Sequence, residues 1–214
     1  MLIDKPYKWT SFAVITKVRD LIKIKKVGHA GTLDPLATGL LIVCTGKFTK
    51  RINEYMAQEK EYTGTITLGA ITPTFDLEGE PQDIKDTSAI TETQIKNATA
   101  QFMGDIMQVP PMHSAIKKDG VRVYELARMG QTIELAPRKL FIREFEITSI
   151  DMPVVHFRVA CSTGTYIRSL ANDFGVVLGC GGHLSSLCRT RIGKYKLDDA
   201  LTIEQLEEQV KNGK

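Results

Sequence analysis

Strand and helix patterns are interleaved along the whole 214-residue sequence, which places it in the α+β class. Three observations carry that prediction. Apolar residues alternate with period two at 62–68 and 154–161. They recur at helical spacing at 14–22 and 167–174. Hydrophobic residues make up 43% of the chain, with no internal repeat and no low-complexity tract, which suits one large domain or a domain with an inserted piece.

Taken in order, residues 1–3 read as a short strand ended by Lys5-Pro6. Thr10 or Ser11 caps a helix with Val14, Ile15, Val18, Leu21 and Ile22 on one face. Three glycines and a proline make 28–39 a shaped loop, and Leu40-Leu41-Ile42-Val43-Cys44 behind it has the pattern of a buried strand. Residues 48–57 look helical, and 62–68 form a half-buried strand with Tyr62 on the face of Ile66 and Leu68. Thr91 caps a helix through Phe102, which Gly104 stops. Asp119-Gly120 signals a hairpin turn, and 123–129 a short helix. Strands follow at 140–147 and 154–161, then a helix opened by Ser162-Thr163-Gly164-Thr165. Residues 184–192 read as a strand, and Thr202-Ile203-Glu204-Gln205 is the capping box of a last helix.

The charge balance, 28 Lys+Arg against 25 Asp+Glu, leans only weakly toward an anionic partner. The first residues lack the pattern of a signal peptide, and no apolar run approaches the length of a membrane span. Four cysteines in mostly apolar surroundings then suit reduced thiols in the cytoplasm.

Several side chains carry candidate chemistry. Asp34 is the one carboxylate of the glycine-rich stretch, among apolar and hydroxyl neighbours. It reads either as a turn aspartate capping its own backbone or as a carboxylate partly out of water that needs a cation or donors. Tyr62 reads as a core tyrosine with its hydroxyl paired. Arg168 stands at a helix start, where the dipole favours anions, so it wants a carboxylate partner. Lys23, Lys25 and Lys26 complement a helix C-terminus or touch phosphate. Asp76 and Glu78 read as solvated loop carboxylates rather than an acid–base pair. Cys180, His183 and Cys188 resemble part of a zinc set, but a fourth ligand at metal spacing is missing, and no metal is expected. Lys117, Lys118, Arg122 and Arg128 surround a turn with few apolar anchors, as in a projection that closes on a partner or in an ordinary exposed hairpin.

The order of motifs is specific. Asp4-Lys5-Pro6 and Trp9-Thr10-Ser11 precede Gly28-His29-Ala30-Gly31-Thr32-Leu33-Asp34-Pro35-Leu36-Ala37-Thr38-Gly39. Lys60-Glu61-Tyr62, Val109-Pro110-Pro111-Met112-His113-Ser114-Ala115, Gly164-Thr165-Tyr166-Ile167-Arg168 and Leu178-Gly179-Cys180-Gly181-Gly182-His183-Leu184 follow. This series resembles, over nearly the whole chain, the TruB family of pseudouridine synthases, which includes the bacterial tRNA pseudouridine-55 synthases and the catalytic subunits of guide-RNA pseudouridylases.

The resemblance implies a pseudouridine synthase fold, a mixed, largely antiparallel sheet flanked by helices around a central active-site cleft. It implies isomerisation of the T-loop uridine of tRNA, with no cofactor and no metal. The uridine would be flipped into a pocket. Asp34 matches the nucleophile, attacking either uracil C6 or ribose C1′. Arg168 matches the arginine that pairs with it. Tyr62 matches the tyrosine that packs on the flipped uracil and accepts a proton. His29 matches a contact to RNA near the vacated stack, Tyr166 and Leu187 line the base pocket, and Lys50 matches a basic residue near the site. Residues 110–139 correspond to an RNA-gripping thumb inside a single catalytic domain spanning 1–214. The family's further C-terminal, PUA-like RNA-binding domain is expected to be absent or not included, and the start is clipped relative to the usual pattern. The expected partner is tRNA, bound through its T-arm by a cytoplasmic monomer with no membrane and no protein partner. Three alternatives share parts of this: a tRNA-binding folding helper, a guide-RNA-dependent catalytic subunit, and a glycosylase that releases uracil.

Overall fold

The computed structural model describes residues 1–213 except Ala115, Asp119 and Thr132. The side chains of Lys117, Lys118, Arg122, Tyr124, Ala127 and Arg128 also lie outside the description. The turn residue Asp119 and the side chains of Lys117, Lys118, Arg122 and Arg128, expected around the turn, are therefore outside the description.

In chain order the elements are β1 (Leu2–Lys5), α1 (Ser11–Ile22), β2 (Val27–Ala30), β3 (Ala37–Thr45), α2 (Ile52–Met56), β4 (Lys60–Leu68), α3 (Glu92–Ala98) and β5 (Gly104–Gln108). Then come β6 (Lys117–Lys118), β7 (Val121–Arg122), α4 (Val123–Arg128), β8 (Arg138–Asp151), β9 (Val154–Cys161), α5 (Ile167–Val177), β10 (Gly182–Ile192), β11 (Tyr195–Lys196) and α6 (Ile203–Lys211). Among the described residues the main sheet has nine strands, ordered β1-β3-β10-β4-β9-β8-β5, with β2 also on β3 and β11 on β10. The described ladders are antiparallel except β3 with β10, so the α+β expectation and its largely antiparallel sheet hold. The chain divides into two compact units, 1–63 with 186–214, and 64–185.

In the first unit, Thr10 caps α1 by accepting from the Ala13 N–H at 3.0 Å. Lys23 ends the helix in the left-handed region (φ 57°), its N–H returning to the Arg19 carbonyl. The α1 face of Val14, Ile15 and Val18 packs with Ile3, Leu41, Val43, Ile203 and Leu206. Ala30, Leu40, Ile42, Cys44 and Ile192 form a second cluster with Ile52, Tyr55 and Tyr195. Alternate residues of β3 thus enter two different clusters, which is why 40–44 is apolar without a break.

The loop expected over 28–39 is shorter than predicted. Gly28, His29 and Ala30 pair antiparallel with Cys44, Val43 and Ile42, and Ala37, Thr38 and Gly39 pair in parallel with Leu187, Cys188 and Arg189. Only 31–36 connects the strands. Glycine there does not break pairing, because the pairing partners on β3 and β10 supply the ladder. The helix expected at 48–57 is a 3-10 turn (Gly46–Arg51) followed by α2, and that at 91–102 is α3 followed by a 3-10 turn (Thr99–Phe102).

In the second unit, Val155, Phe157, Val159 and Cys161 fill the buried face of β9 as expected. Phe102, Phe145, Phe157 and Phe174 meet with ring centroids 5.5–6.1 Å apart. On the other face of β9, Arg158 bonds to Glu144 and Glu146, and His156 lies 3.5 Å from Asp151. Arg158 thus bridges two glutamates on the partly exposed face of the sheet.

Candidate active site

The 31–36 loop carries Asp34 and is held through its backbone by three buried polar side chains. The Ser11 hydroxyl donates to the Leu33 carbonyl at 3.1 Å and accepts from the Leu33 N–H at 2.9 Å. The Lys5 ammonium, fully buried, donates to the carbonyls of Pro6 (2.9 Å), Trp9 (2.6 Å) and Pro35 (3.2 Å). The Arg189 guanidinium, 1% exposed, donates to Leu40 O at 2.8 Å and Gly31 O at 3.1 Å. The Lys8 N–H adds a bond to Pro35 O at 2.9 Å, and the Ala37 N–H one to Asp34 O at 3.1 Å. Carbonyls on both sides of Asp34 are thus tied to groups that packing locks in place.

Burial pushes the Lys5 ammonium down to about 8, against the pull of the Asp34 carboxylate. Asp34 itself is half-buried. His29, half-buried on β2, is held below the usual histidine range, by burial first and the Arg189 charge second. At pH 7 it is therefore a ring and a hydrogen-bonding group rather than a cation.

Tyr62, 9% exposed, faces inward on β4 with Ile66 and Leu68, as its alternation predicts. Leu187, half-buried on β10, pairs with Ala37 at the far side of the Asp34 loop. Lys50 is exposed in the 3-10 turn beyond the C-terminal end of β3. With nine residues in β3, that end lies roughly 26 Å from the Ala37 end at about 3.3 Å per residue. It is also where β2 begins: Val27 pairs with Thr45, and the Gly46 N–H reaches Lys26 O at 2.8 Å. The hairpin therefore gathers Lys25, Lys26, Lys47 and Lys50 at one end.

In the second unit, Tyr166 and Arg168 open α5. Tyr166 has no capping side chain of its own. Gln108, 2% exposed, supplies the cap from β5, accepting from the Tyr166 N–H at 2.8 Å and donating to its carbonyl at 3.1 Å. Arg168, 5% exposed, donates to Thr74 O at 3.1 Å and His113 O at 2.9 Å, and its Nε lies 3.5 Å from the Asp76 carboxylate.

Asp76 is thus not a solvated loop residue. It is 4% exposed, and it accepts from the Thr74 hydroxyl at 2.6 Å and from the Glu78 N–H at 3.0 Å. The reading from composition missed it because a Thr-x-Thr-x-Asp run looks like any polar turn. The alternating hydroxyls, which can satisfy a buried carboxylate locally, were the available signal. Gln108 had no such signal.

His183 Nδ1 lies 3.1 Å from Ala70 O, and the Cys180 thiol points to Gly181 O at 3.2 Å. Among the described residues, no three His, Cys, Asp or Glu side chains come together as metal ligands. No described helix is long and apolar enough to cross a membrane.

The model of the TruB family pseudouridylate synthase N-terminal domain matches residues 19–167, and that of the tRNA pseudouridylate synthase B C-terminal domain matches 168–214. The chain belongs to the TruB family. It is 54% identical over 215 residues to a tRNA pseudouridine synthase B of Flavobacterium johnsoniae, covering 97% of this chain and 94% of the relative. It is 50% identical to that of Phocaeicola vulgatus, covering 97% and 91%. At this level the activity follows: the chain is a tRNA pseudouridine synthase, an isomerase. Its fold is similar to that in a crystal structure of a Cbf5-Nop10-Gar1 complex, with TM-score 0.77 and 29% identity, covering 99% of this chain and 55% of that one. A similar likeness holds for an H/ACA RNP bound to a substrate RNA containing 2′-deoxyuridine (TM-score 0.73, 27% identity, 99% of this chain and 54% of that one). The chain spans about half the length of these solved chains.

Proposed function

We propose that the family activity is exerted here on the T-loop uridine at position 55 of tRNA, with Asp34 as nucleophile. The observation that supports this most is the loop around Asp34, whose carbonyls are held by Lys5 and Arg189. Such anchoring is what a nucleophile needs to meet a substrate atom within a fraction of an ångström. The uridine is flipped out of its stack, at a cost of a few kcal/mol. Asp34 then adds to C6 of the base or C1′ of the ribose. The C1′–N1 bond breaks, the uracil turns, a C1′–C5 bond forms, and the bond to Asp34 breaks to return its carboxylate. The C5 proton leaves and N1 is protonated, so the product is an isomer and no cofactor is consumed.

Arg168, whose Nε lies 3.5 Å from the Asp76 carboxylate, is the pairing partner of Asp34 in this reading. Tyr62 packs on the flipped uracil and accepts the C5 proton. Tyr166 and Leu187 line the base pocket, and His29 contacts the RNA near the vacated stack. Lys50, with Lys25, Lys26 and Lys47, contacts phosphates of the T-stem while the loop reaches Asp34. Residues 110–139 grip the arm as a thumb. The enzyme works as a cytoplasmic monomer on bare tRNA, without cofactor or protein partner, and 1–214 acts as one catalytic domain.

The test is Asp34→Asn, assayed separately for pseudouridine formation and tRNA binding. Lost product with retained binding supports the nucleophile role. Product formed by the variant refutes it. A second reading, a guide-RNA-dependent subunit, draws support from the likeness to the Cbf5 and H/ACA structures. Mapping pseudouridine in an unmodified tRNA transcript with purified protein alone separates the two, and assaying free uracil exposes a glycosylase.

A further inference from the structure

Residues 7–12 carry three aromatic side chains, and only one serves the core. Trp9 packs against the cluster of α1 and α6. Tyr7 and Phe12 face water, 52% and 70% exposed. Between Tyr7 and Trp9 stands Lys8, whose φ of 65° puts a non-glycine residue in the left-handed region. That conformation is uncommon for lysine and would suit glycine better. The backbone gains by it: the Lys8 N–H reaches Pro35 O at 2.9 Å, on the residue next to Asp34. The side chain stays at the surface: its ammonium is exposed and lies 5.7 Å from the Tyr7 ring centroid, a cation–π contact of the weak, solvated kind.

We infer that Tyr7, Lys8 and Phe12 form a docking surface for the unpaired nucleotides of the substrate tRNA that flank the target uridine. The inference rests on the reading that the uridine enters at Asp34. Two exposed rings offer faces on which unstacked bases lie, and a lysine between them matches the phosphate that joins such bases. The position suits those nucleotides in particular. Through Pro35 the segment is one hydrogen bond from the Asp34 loop, while the lysines gathered around Lys50 lie at the other end of the β2–β3 hairpin. The end next to Asp34 offers two exposed rings with a lysine beside one of them, whereas the far end gathers four lysines around the exposed Phe48.

The test uses the full chain, an unmodified tRNA transcript and two variants, Lys8→Gly and the double variant Tyr7→Ala/Phe12→Ala. Affinity is measured at several salt concentrations, beside the kinetics of pseudouridine formation and the thermal midpoint. Lys8→Gly places glycine where φ already favours it, so a purely structural role predicts an unchanged or higher midpoint and unchanged binding. The inference predicts the same midpoint behaviour with tRNA affinity several-fold weaker and the log–log salt slope reduced by about 0.7. The double variant removes only exposed side chains and is expected to fold normally. Its affinity falls by about tenfold or more, since each stacked base contributes about 1–3 kcal/mol, and the loss in kcat/KM lies in KM. Affinity within twofold of wild type in either variant overturns the inference. So does unchanged tRNA affinity with altered sedimentation, which would assign the surface to a second copy of this chain. Because binding is read directly, a wild-type protein that binds tRNA without forming pseudouridine counts against the proposed activity alone.

Discussion

Replacing Gly39 by alanine isolates how the Asp34 loop is seated. Gly39 lies between two strands, paired with Lys5 of β1 and with Arg189 of β10. Its φ is 98°, beyond the small left-handed basin open to side-chain-bearing residues. A Cβ there would stand 2.5 Å from Arg189 O, 2.7 Å from Arg189 N and 2.9 Å from the Cys188 sulfur. Two of those neighbours are backbone, so relief requires parting β3 from β10. Strained backbone costs about 1–3 kcal/mol, and overpacking costs about 1–3 kcal/mol more. The expected loss is about 2–6 kcal/mol, or roughly 4–20 °C in the thermal midpoint for a chain of this size. Gly46 is the control. Its φ is 53°, inside the left-handed basin, and nothing lies within 4 Å of a Cβ. Gly46→Ala therefore costs only the conformational part, about 1 kcal/mol. Thermal unfolding by circular dichroism reads both. If Gly39→Ala melts no lower than Gly46→Ala, close strand approach is not what reserves the position for glycine.

Other outcomes follow from the same geometry. Asp76→Asn keeps the shape of the side chain but removes the charge facing Arg168 in a buried setting, so stability should fall by on the order of 3 kcal/mol. Steady-state kinetics should place the catalytic loss in kcat, and a pure KM effect would contradict the positioning role. The Lys5 ammonium has a folded pKa of about 8 against 10.5 when unfolded, so burial penalises its charged form. The penalty, about 3 kcal/mol, applies fully below pH 8 and disappears as pH rises toward 10.5. Denaturant unfolding of wild type and Lys5→Met between pH 7.5 and 10 should show wild type gaining on the variant, and parallel profiles would refute the shift. Lys26→Gln and Lys50→Gln should each weaken tRNA binding and lower its salt slope by about 0.9 for every duplex phosphate that is no longer neutralised. A slope unchanged in filter-binding titrations would remove both lysines from the phosphate-binding surface.

The elements legible in the residues were those that local rules decide. Thr10 with the Val14, Ile15, Val18 face, the Thr202–Gln205 capping box and the alternation of β9 all carried through to the structure. Glycine in 28–39 misled because strand membership there depends on partners elsewhere in the chain, with Gly39 opposite Arg189. The same holds for the site. Asp34 was visible as an isolated carboxylate on a shaped loop, and Arg168 as a cation at the wrong end of a helix. What holds them was less visible. Lys5 showed only as the residue before a proline that ends a strand, Arg189 fell inside a strand pattern, and Asp76 read as a solvated loop carboxylate, yet each is at most 4% exposed. A long polar side chain that is buried because backbone carbonyls far along the chain receive it leaves no local pattern.

The grip of Arg189 on the Gly31 carbonyl joins residues 158 positions apart. During synthesis on the ribosome, the segment bearing Asp34 emerges early and waits for its clamp until β10 has been made. A nascent or C-terminally shortened chain ending before β10 therefore holds every residue of the glycine-rich motif without the Arg189 anchor of its loop. The seating of that loop arrives late, with the closing strand, rather than with the motif itself.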